Sequence, residues 1–369
     1  MLAELERHPH ARAVLAPALG VPARPSHAYL FHGPGGSGKR AAARALAAEL
    51  LAEASANPDG ARARVRSGAH PDLTWVVPSG AHEMLVSDIA GPVISAASRT
   101  PFESTRRVFV IERADELGDE AANRMLKTLE EPAAFVHLIL LTDRPGEILP
   151  TIRSRCQAVR FEPPSEDDAA AEITALGIEP SAARACVRLA LQDADRAREL
   201  AGPEGQALRA AAERYARSAI AEQMNPLRPW TELLAAVRAR GEVAGAELEA
   251  MLEAELELTS RKERKKVEND WAERIRRARR RVQTRALDLA LQLVSLWYAD
   301  LVFLGLGASE LIRNRDRDAE LREDAGLDPM RLRAAVELVE ETRERFALNV
   351  SEDLACEALA YRLEHLLAR

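Results

Sequence analysis

Ala28-Tyr29-Leu30-Phe31-His32, followed without a break by Gly33-Pro34-Gly35-Gly36-Ser37-Gly38-Lys39-Arg40, is the stretch on which the fold turns. The first five residues form a short apolar run that reads as a buried strand, and the alanine-rich segment from Lys39 through Leu51 reads as a helix. Between them, Gly33 to Lys39 has the G-x-x-x-x-G-K spacing of a P-loop in the strand-then-helix context that gives the motif meaning. Its glycines let backbone N–H groups approach a phosphate, and the helix N-terminus adds a favourable dipole. The same glycines have a plainer use, a tight turn that lets helix pack on sheet.

Outward from this stretch, a second apolar run, Val108-Phe109-Val110-Ile111, is followed by a helix from Asp119 to Glu131. Its Ala122, Met125, Leu126 and Leu129 fall at helical spacing, and Pro132 stops it. A third run, Val136 to Leu141, leads through a loop to Ser154-Arg155-Cys156. Strands alternating with helices predict a mostly parallel sheet with helices on both faces. After Phe161 the strand signals end. Glu162-Pro163-Pro164-Ser165 reads as a linker and helix N-cap, the remainder reads as helix, and Gly202-Pro203 interrupts it once more. The expected domains are a P-loop-type α/β domain over 1–161, a small helical lid over 162–203, and an all-helical collar over 204–369.

A chain of 369 residues is longer than one typical domain, and 30% charged with 47% apolar residues is a globular composition. The net charge of −7 argues against a whole-protein electrostatic grip on DNA and leaves only local or indirect contact. The cysteines, Cys156, Cys186 and Cys356, are too dispersed for a zinc cluster or a disulfide framework, so no metal is expected and a reducing cytoplasm fits. Met1 to Leu19 interleaves Glu4, Glu6, Arg7 and Arg12 with apolar residues, unlike a signal peptide. The apolar stretch Leu289 to Leu306, interrupted by Gln292 and Asp300, is expected to be too short and too polar for a bilayer, so no membrane role is expected. The basic stretch Arg261 to Arg281 carries interspersed acids and a lone Trp271, which predicts an exposed collar helix or coiled pair rather than a nucleic-acid strip.

The P-loop is altered where hydrolysis needs it intact. A Ser or Thr hydroxyl should follow the lysine to hold Mg²⁺, and Arg40 stands there instead, with no acceptor and a like charge. A hydrolytic P-loop protein of this type ends its second strand with Asp-Glu, and this chain has Glu112-Arg113. Glu112 can still face a metal, but a guanidinium cannot act as a base. An alternative register, Asp115-Glu116, places the acids past the strand end. The expectation is a chain without its own ATPase, whose loop is either vestigial or retains ATP or ADP weakly without hydrolysis.

Four segments, in order, resemble the signature segments of the clamp-loader subunits of bacterial DNA polymerase III, members of the AAA+ class. They are His27 to Pro34, His70-Pro71-Asp72-Leu73, Ala122 to Pro132 and Ser154-Arg155-Cys156. The likeness covers the α/β part almost completely and the lid weakly. It returns near the C-terminus, where Trp297 to Asn314 and Asn349 to Leu367 look like collar helices. The altered Arg40 and Arg113 point to the delta-prime kind rather than the hydrolysing gamma/tau motor kind, which is the alternative. Family members usually carry four zinc-binding cysteines before the His-Pro-Asp segment, and Asn57 to Ala69 contains none.

The resemblance implies a ring assembled with gamma/tau motor subunits and a delta subunit, which opens a sliding clamp and closes it on primed DNA. It further implies that Arg155 acts in trans on ATP bound by the neighbouring motor. A degenerate nucleotide site would comprise Gly33, Gly36, Gly38, Lys39, Arg40, Glu112 and Thr142, with Thr142 at the position that senses the γ-phosphate in active relatives. Arg196 falls where the lid of active members offers a further phosphate contact, with a solvated arginine as the plain alternative. An unrelated P-loop enzyme such as a kinase has no other landmark in the chain.

Overall fold

The computed structural model describes residues 3–20, 24–53, 55–80, 83–260, 263–346 and 350–368. Arg261 and Lys262 of the basic stretch, and Asn349, lie outside them. The chain forms two compact units, Met1–Pro164 and Ser165–Arg369.

In the first unit β1 (Ala28–His32), β2 (Leu73–Val76), β3 (Arg107–Ile111), β4 (Val136–Thr142) and β5 (Gln157–Arg160) form one sheet in the order β2-β3-β4-β1-β5, with every pairing parallel. Around it lie α1 (Pro9–Leu15), α2 (Lys39–Ala52), α3 (Pro58–Ser67), α4 (Val86–Ile89), α5 (Asp119–Glu130) and α6 (Pro150–Arg153). Successive strand side chains alternate between two apolar layers. Tyr29, Phe31, Val110, Ile139 and Leu141 pack with Ala43, Leu46 and Leu50 of α2. Leu30, Phe109, Ile111, Leu138 and Leu140 turn the other way, onto Ala122, Met125 and Leu129 of α5. Both faces are covered, so the central strands are apolar at most positions, with polar residues mainly at their ends, which is why they stand out in the text. The edge strands do not. Three of the four residues in β2 and in β5 escape full burial, and neither presents an apolar run to read.

The second unit is helical: α7 (Glu166–Thr174), α8 (Pro180–Leu189), α9 (Ala194–Ala201), α10 (Pro203–Ile220), α11 (Met224–Leu227), α12 (Pro229–Leu258), α13 (Arg264–Gly305), α14 (Asp318–Glu323), α15 (Pro329–Arg345) and α16 (Glu352–Leu367). Ile173, Cys186, Leu189 and Leu200 of the expected lid share one hydrophobic core with Leu208, Tyr215, Trp230, Trp297 and Leu363. Gly202-Pro203 ends one helix and starts the next without dividing the packing, and the compact units part at 164/165 rather than at 203.

Polar groups drawn into this core are largely paired, although Arg209 Nε and Arg240 Nη1 find no hydrogen-bond partner. The buried Arg209 makes a two-pronged contact with Asp316 at 2.8 and 2.6 Å, and Asp300 accepts the backbone N–H groups of Arg313 and Asn314. That acceptance fixes the chain after Gly305, where α13 ends and the expected continuous helix to Asn314 gives way to turns.

By length and composition α13 does contain a stretch able to cross a membrane, contrary to the expectation of one too short and too polar. Of that stretch, 67% is buried within the unit, as in the core helix of a helical domain. The basic N-terminal half of α13 lies along α12 as a charge-laced pair. Arg279 reaches Glu249 at 2.7 Å and Glu242 at 3.3 Å, Trp271 donates to Glu255 at 2.8 Å, and Arg276 and Arg277 hold Glu273.

Candidate functional site: a closed phosphate cradle and an arginine on the opposite edge

Because β3, β4 and β1 are adjacent and parallel, their C-terminal ends lie side by side on one edge of the sheet, with His32 beside Thr142 and Ile111 beside Leu140. Gly33 follows β1 with φ +149°, and a Cβ there would fall 2.2 Å from the carbonyl oxygen of Phe161, so only glycine permits this approach. Gly36 (φ 69°) and Gly38 (φ 86°) carry the turn into the N-terminus of α2.

The loop is satisfied from within. The buried Lys39 ammonium donates to the carbonyls of Gly33 (2.5 Å) and Pro34 (2.6 Å) and to Ser37 Oγ (3.3 Å), and pairs with Asp143 at 2.8 Å. Arg40 lays its guanidinium on Glu112 at 2.5 Å, and the other Glu112 oxygen accepts Trp75 Nε1 at 2.7 Å. The carboxylate that would face a metal is thus covered by a cation and an indole. Arg113, in left-handed backbone (φ 51°, ψ 51°), directs its Nε to Glu116. Asp115 accepts Thr142 Oγ1 at 2.7 Å and Arg144 Nε at 3.0 Å, so both acids of the alternative register are engaged too. Thr142, buried at the end of β4, spends its hydroxyl on Asp115 and accepts the Arg144 N–H at 3.0 Å. A magnesium nucleotide does not fit this arrangement: the metal's place beside Glu112 is held by Arg40, and the lysine's donors are used.

The N-terminus supports the loop. His8 of the segment before α1 packs edge-on against Phe161, 4.9 Å between rings, and lies near Gly38 and Glu162. Burial lowers the His8 pKa from its ordinary value, while the Glu162 carboxylate pulls it the other way. Burial likewise lowers that of His32, helped by His10, Arg160 and Lys39.

Arg155 is elsewhere. It precedes β5, so it stands at the N-terminal edge of the parallel sheet, opposite the cradle. The seven residues of β4 set those edges about 20 Å apart, well beyond the reach of one side chain. Its Nη2 contacts Glu130, the last residue of α5, at 2.6 Å, and its Nη1 donates to the Thr151 carbonyl at 2.8 Å and to Ser154 Oγ at 3.3 Å. Neighbouring Cys156 is no nucleophile: burial pushes its thiol up to about 12.

Other motif residues turn out to be scaffolding. Asp72 of the His-Pro-Asp segment is fully buried and accepts the backbone N–H groups of Phe102 (2.6 Å), Glu103 (3.0 Å) and Ser104 (2.9 Å), clamping that loop. His70 accepts the Asp72 N–H on Nδ1 and directs Nε2 to Glu103 at 3.1 Å. Arg196 is half-buried, and its Nη1 donates to Gln292 at 2.7 Å within the helical unit. Among the described residues no group of three or more His, Cys, Asp or Glu is placed to hold a metal ion. The partners Trp75, Asp143 and Glu130 escape sequence reading, because each meets its target only through strand order or a loop crossing.

A five-stranded parallel sheet covered on both faces, with a glycine loop of P-loop spacing after its first strand and a helical unit after its last, defines a P-loop-type α/β fold. The family model described as "DNA polymerase III, delta subunit" matches residues 21–165. The delta-prime subunit of DNA polymerase III from Bacillus subtilis is 40% identical over 148 residues, which is 38% of this chain and 43% of that protein. The delta-prime subunit from Pseudomonas aeruginosa is 38% identical over 143 residues, 37% of this chain and 44% of that protein. A solved gamma-subunit-related DNA polymerase III protein from Thermotoga maritima aligns with a TM-score of 0.41 at 14% identity, covering 96% of this chain and 97% of that one. Over residues 21–165 the chain is similar to the delta-prime subunits of DNA polymerase III, and its match spans under half the length of those curated relatives.

Proposed function

We propose that this chain is a non-hydrolysing clamp-loader subunit that supplies Arg155 in trans to ATP held by an adjacent gamma/tau-type motor subunit. In that role it helps a complex containing a delta subunit place the sliding clamp on primed DNA in the cytoplasm. The observation that carries this reading is the separation of the two sites across the sheet. Arg155 cannot reach the chain's own cradle, so any phosphate it meets belongs to another chain. A planar guanidinium fork suits charge that spreads over phosphoryl oxygens in the transition state. The cradle, with Arg40 on Glu112 and Arg113 at the base position, neither requires nucleotide nor turns it over, holds ATP or ADP at most weakly, and takes no zinc. The same two arginines disfavour the reading of the chain as a gamma/tau-type motor.

The test rebuilds the loader with wild-type, Arg155→Ala or Arg155→Lys chain, confirms assembly by gel filtration, and measures steady-state ATPase with primed DNA and clamp. A trans arginine is worth ~10³ to 10⁵ at its own site, diluted here because other interfaces keep theirs. The total rate should fall by at least about two-fold, with lysine rescuing little because it keeps the charge without the fork. Unchanged ATPase and clamp loading in an assembled Arg155→Ala complex would overturn the proposal.

A further inference from the structure

We propose that Glu130 is a positioning residue that parks Arg155 on its own chain and must be exchanged for phosphate when the arginine acts; this rests on the trans reading of Arg155 given above. Both terminal nitrogens of the guanidinium are engaged at home, Nη2 by Glu130 and Nη1 by the Thr151 carbonyl and Ser154 Oγ. Those nitrogens are the donors a phosphate oxygen would seek. A carboxylate oxygen is an anionic acceptor as a phosphate oxygen is, so Glu130 competes directly for Nη2 and also cancels the field of the cation.

The pair is not a by-product of helix geometry. Arg124 and Glu120 face each other on α5 at i,i+4 simply because the helix is there. Glu130 and Arg155 come from the end of α5 and the turn after α6, 25 positions apart, and meet at 2.6 Å. The Glu130 and Arg155 side chains keep 48% and 35% exposure, so water and an incoming partner reach the contact. An exposed pair of this kind is weak enough to open and strong enough to bias the equilibrium by about two- to five-fold. Until a neighbour's phosphates displace Glu130, the arginine is held back, and the chain gates the catalysis it supports.

Two readouts separate this inference from the reading beneath it. In the purified chain, the rate at which phenylglyoxal modifies Arg155, followed by peptide mass spectrometry, should rise about two- to five-fold in Glu130→Gln with Arg124 as the internal reference. In the rebuilt complex without DNA, Glu130→Gln should raise ATPase by a similar factor. Glu130→Asp, which keeps the charge, should fall between Gln and wild type, and Glu130→Gln combined with Arg155→Ala should behave as Arg155→Ala alone. Equal labelling rates in wild type and Glu130→Gln would overturn the parking. Faster labelling with unchanged or lower ATPase, while Arg155→Ala loses activity, would overturn the gating and leave the trans arginine standing. Unchanged ATPase and clamp loading in the assembled Arg155→Ala complex would remove both.

Discussion

The two edges of the sheet have been treated in opposite ways. On the C-terminal edge every charged group is closed on another: Lys39 on Asp143, Arg40 on Glu112, Arg113 on Glu116, Asp115 between Thr142 and Arg144. On the N-terminal edge Arg155 is held by an exposed carboxylate, a carbonyl and the Ser154 hydroxyl, in a loop rather than a core. The cradle keeps the turn of its glycine loop, while its charged groups are engaged with one another. The arginine corner keeps a partly exposed guanidinium that an incoming molecule can reach. Degeneration of a P-loop therefore need not mean degeneration of the domain, because the loop's glycines are still needed by the fold.

That contrast breaks most readily at Gly33. Alanine there would put a methyl group 2.2 Å from the Phe161 carbonyl oxygen at φ +149°, a conformation that L-residues resist. Urea denaturation should show a loss of about 3 kcal/mol for Gly33→Ala and under about 1 kcal/mol for Arg155→Ala, whose pair is exposed. A stable Gly33→Ala protein would mean that the loop survives for its ligand and not for its packing.

A smaller effect is expected from reopening the cradle. Arg40→Thr removes the cation from Glu112 and restores a hydroxyl at the metal position, while leaving Arg113 in place of a base. Thermal denaturation with magnesium and ATP should shift upward for this variant beyond the wild type, by about 2.7 kcal/mol if ATP reaches a hundred times its Kd. Phosphate release should stay at background for both. A wild-type shift as large as the variant's would show that the Arg40–Glu112 pair does not close the site, and hydrolysis by the variant would show that Arg113 is no barrier.

How much of this could be read from the text depended on whether the information lay along the chain or across it. The strand-loop-helix around Lys39 is local, and so are the central strands, whose apolar runs follow from burial on both faces. The two lesions, Arg40 and Arg113, are also legible, because each occupies a fixed place in a motif. Their partners are not: Arg40 meets Glu112 and Lys39 meets Asp143 only because β3 and β1 flank β4, an order unrelated to sequence. The edge strands β2 and β5 lack an apolar run, and the helix break at Gly202-Pro203 suggested a domain boundary where Leu200 and Leu208 share one core. Thr142 and Arg196 were assigned by position in a family pattern, and the structure commits each side chain to a neighbour within its own unit.

The smallest predicted effect separates the edges by pH. His8 and His32, beside the cradle, have pKa values lowered from 6.5 mainly by burial. The folded state then binds fewer protons than the unfolded one, so the stability these residues contribute is present above pH 6.5 and is lost as the pH falls toward their lower folded values. The arginine corner has no such group, since Cys156 is pushed up to about 12 and stays neutral throughout. Asp300 and Asp324, pushed up by burial, act with the opposite sign but lie in the helical unit, so the measurement has to be local. Amide hydrogen exchange over α2, compared at pH 7.5 and 5.5 after correction for the intrinsic rate, should show weaker protection at the lower pH, equivalent to a melting shift of about 1 to 3 °C. Replacing both His8 and His32 by Gln should flatten that dependence, whatever it does to stability at pH 7.5. Protection of α2 that holds or strengthens on acidification would mean that these imidazoles are charged in the folded protein, and that Glu162 beside His8 outweighs burial.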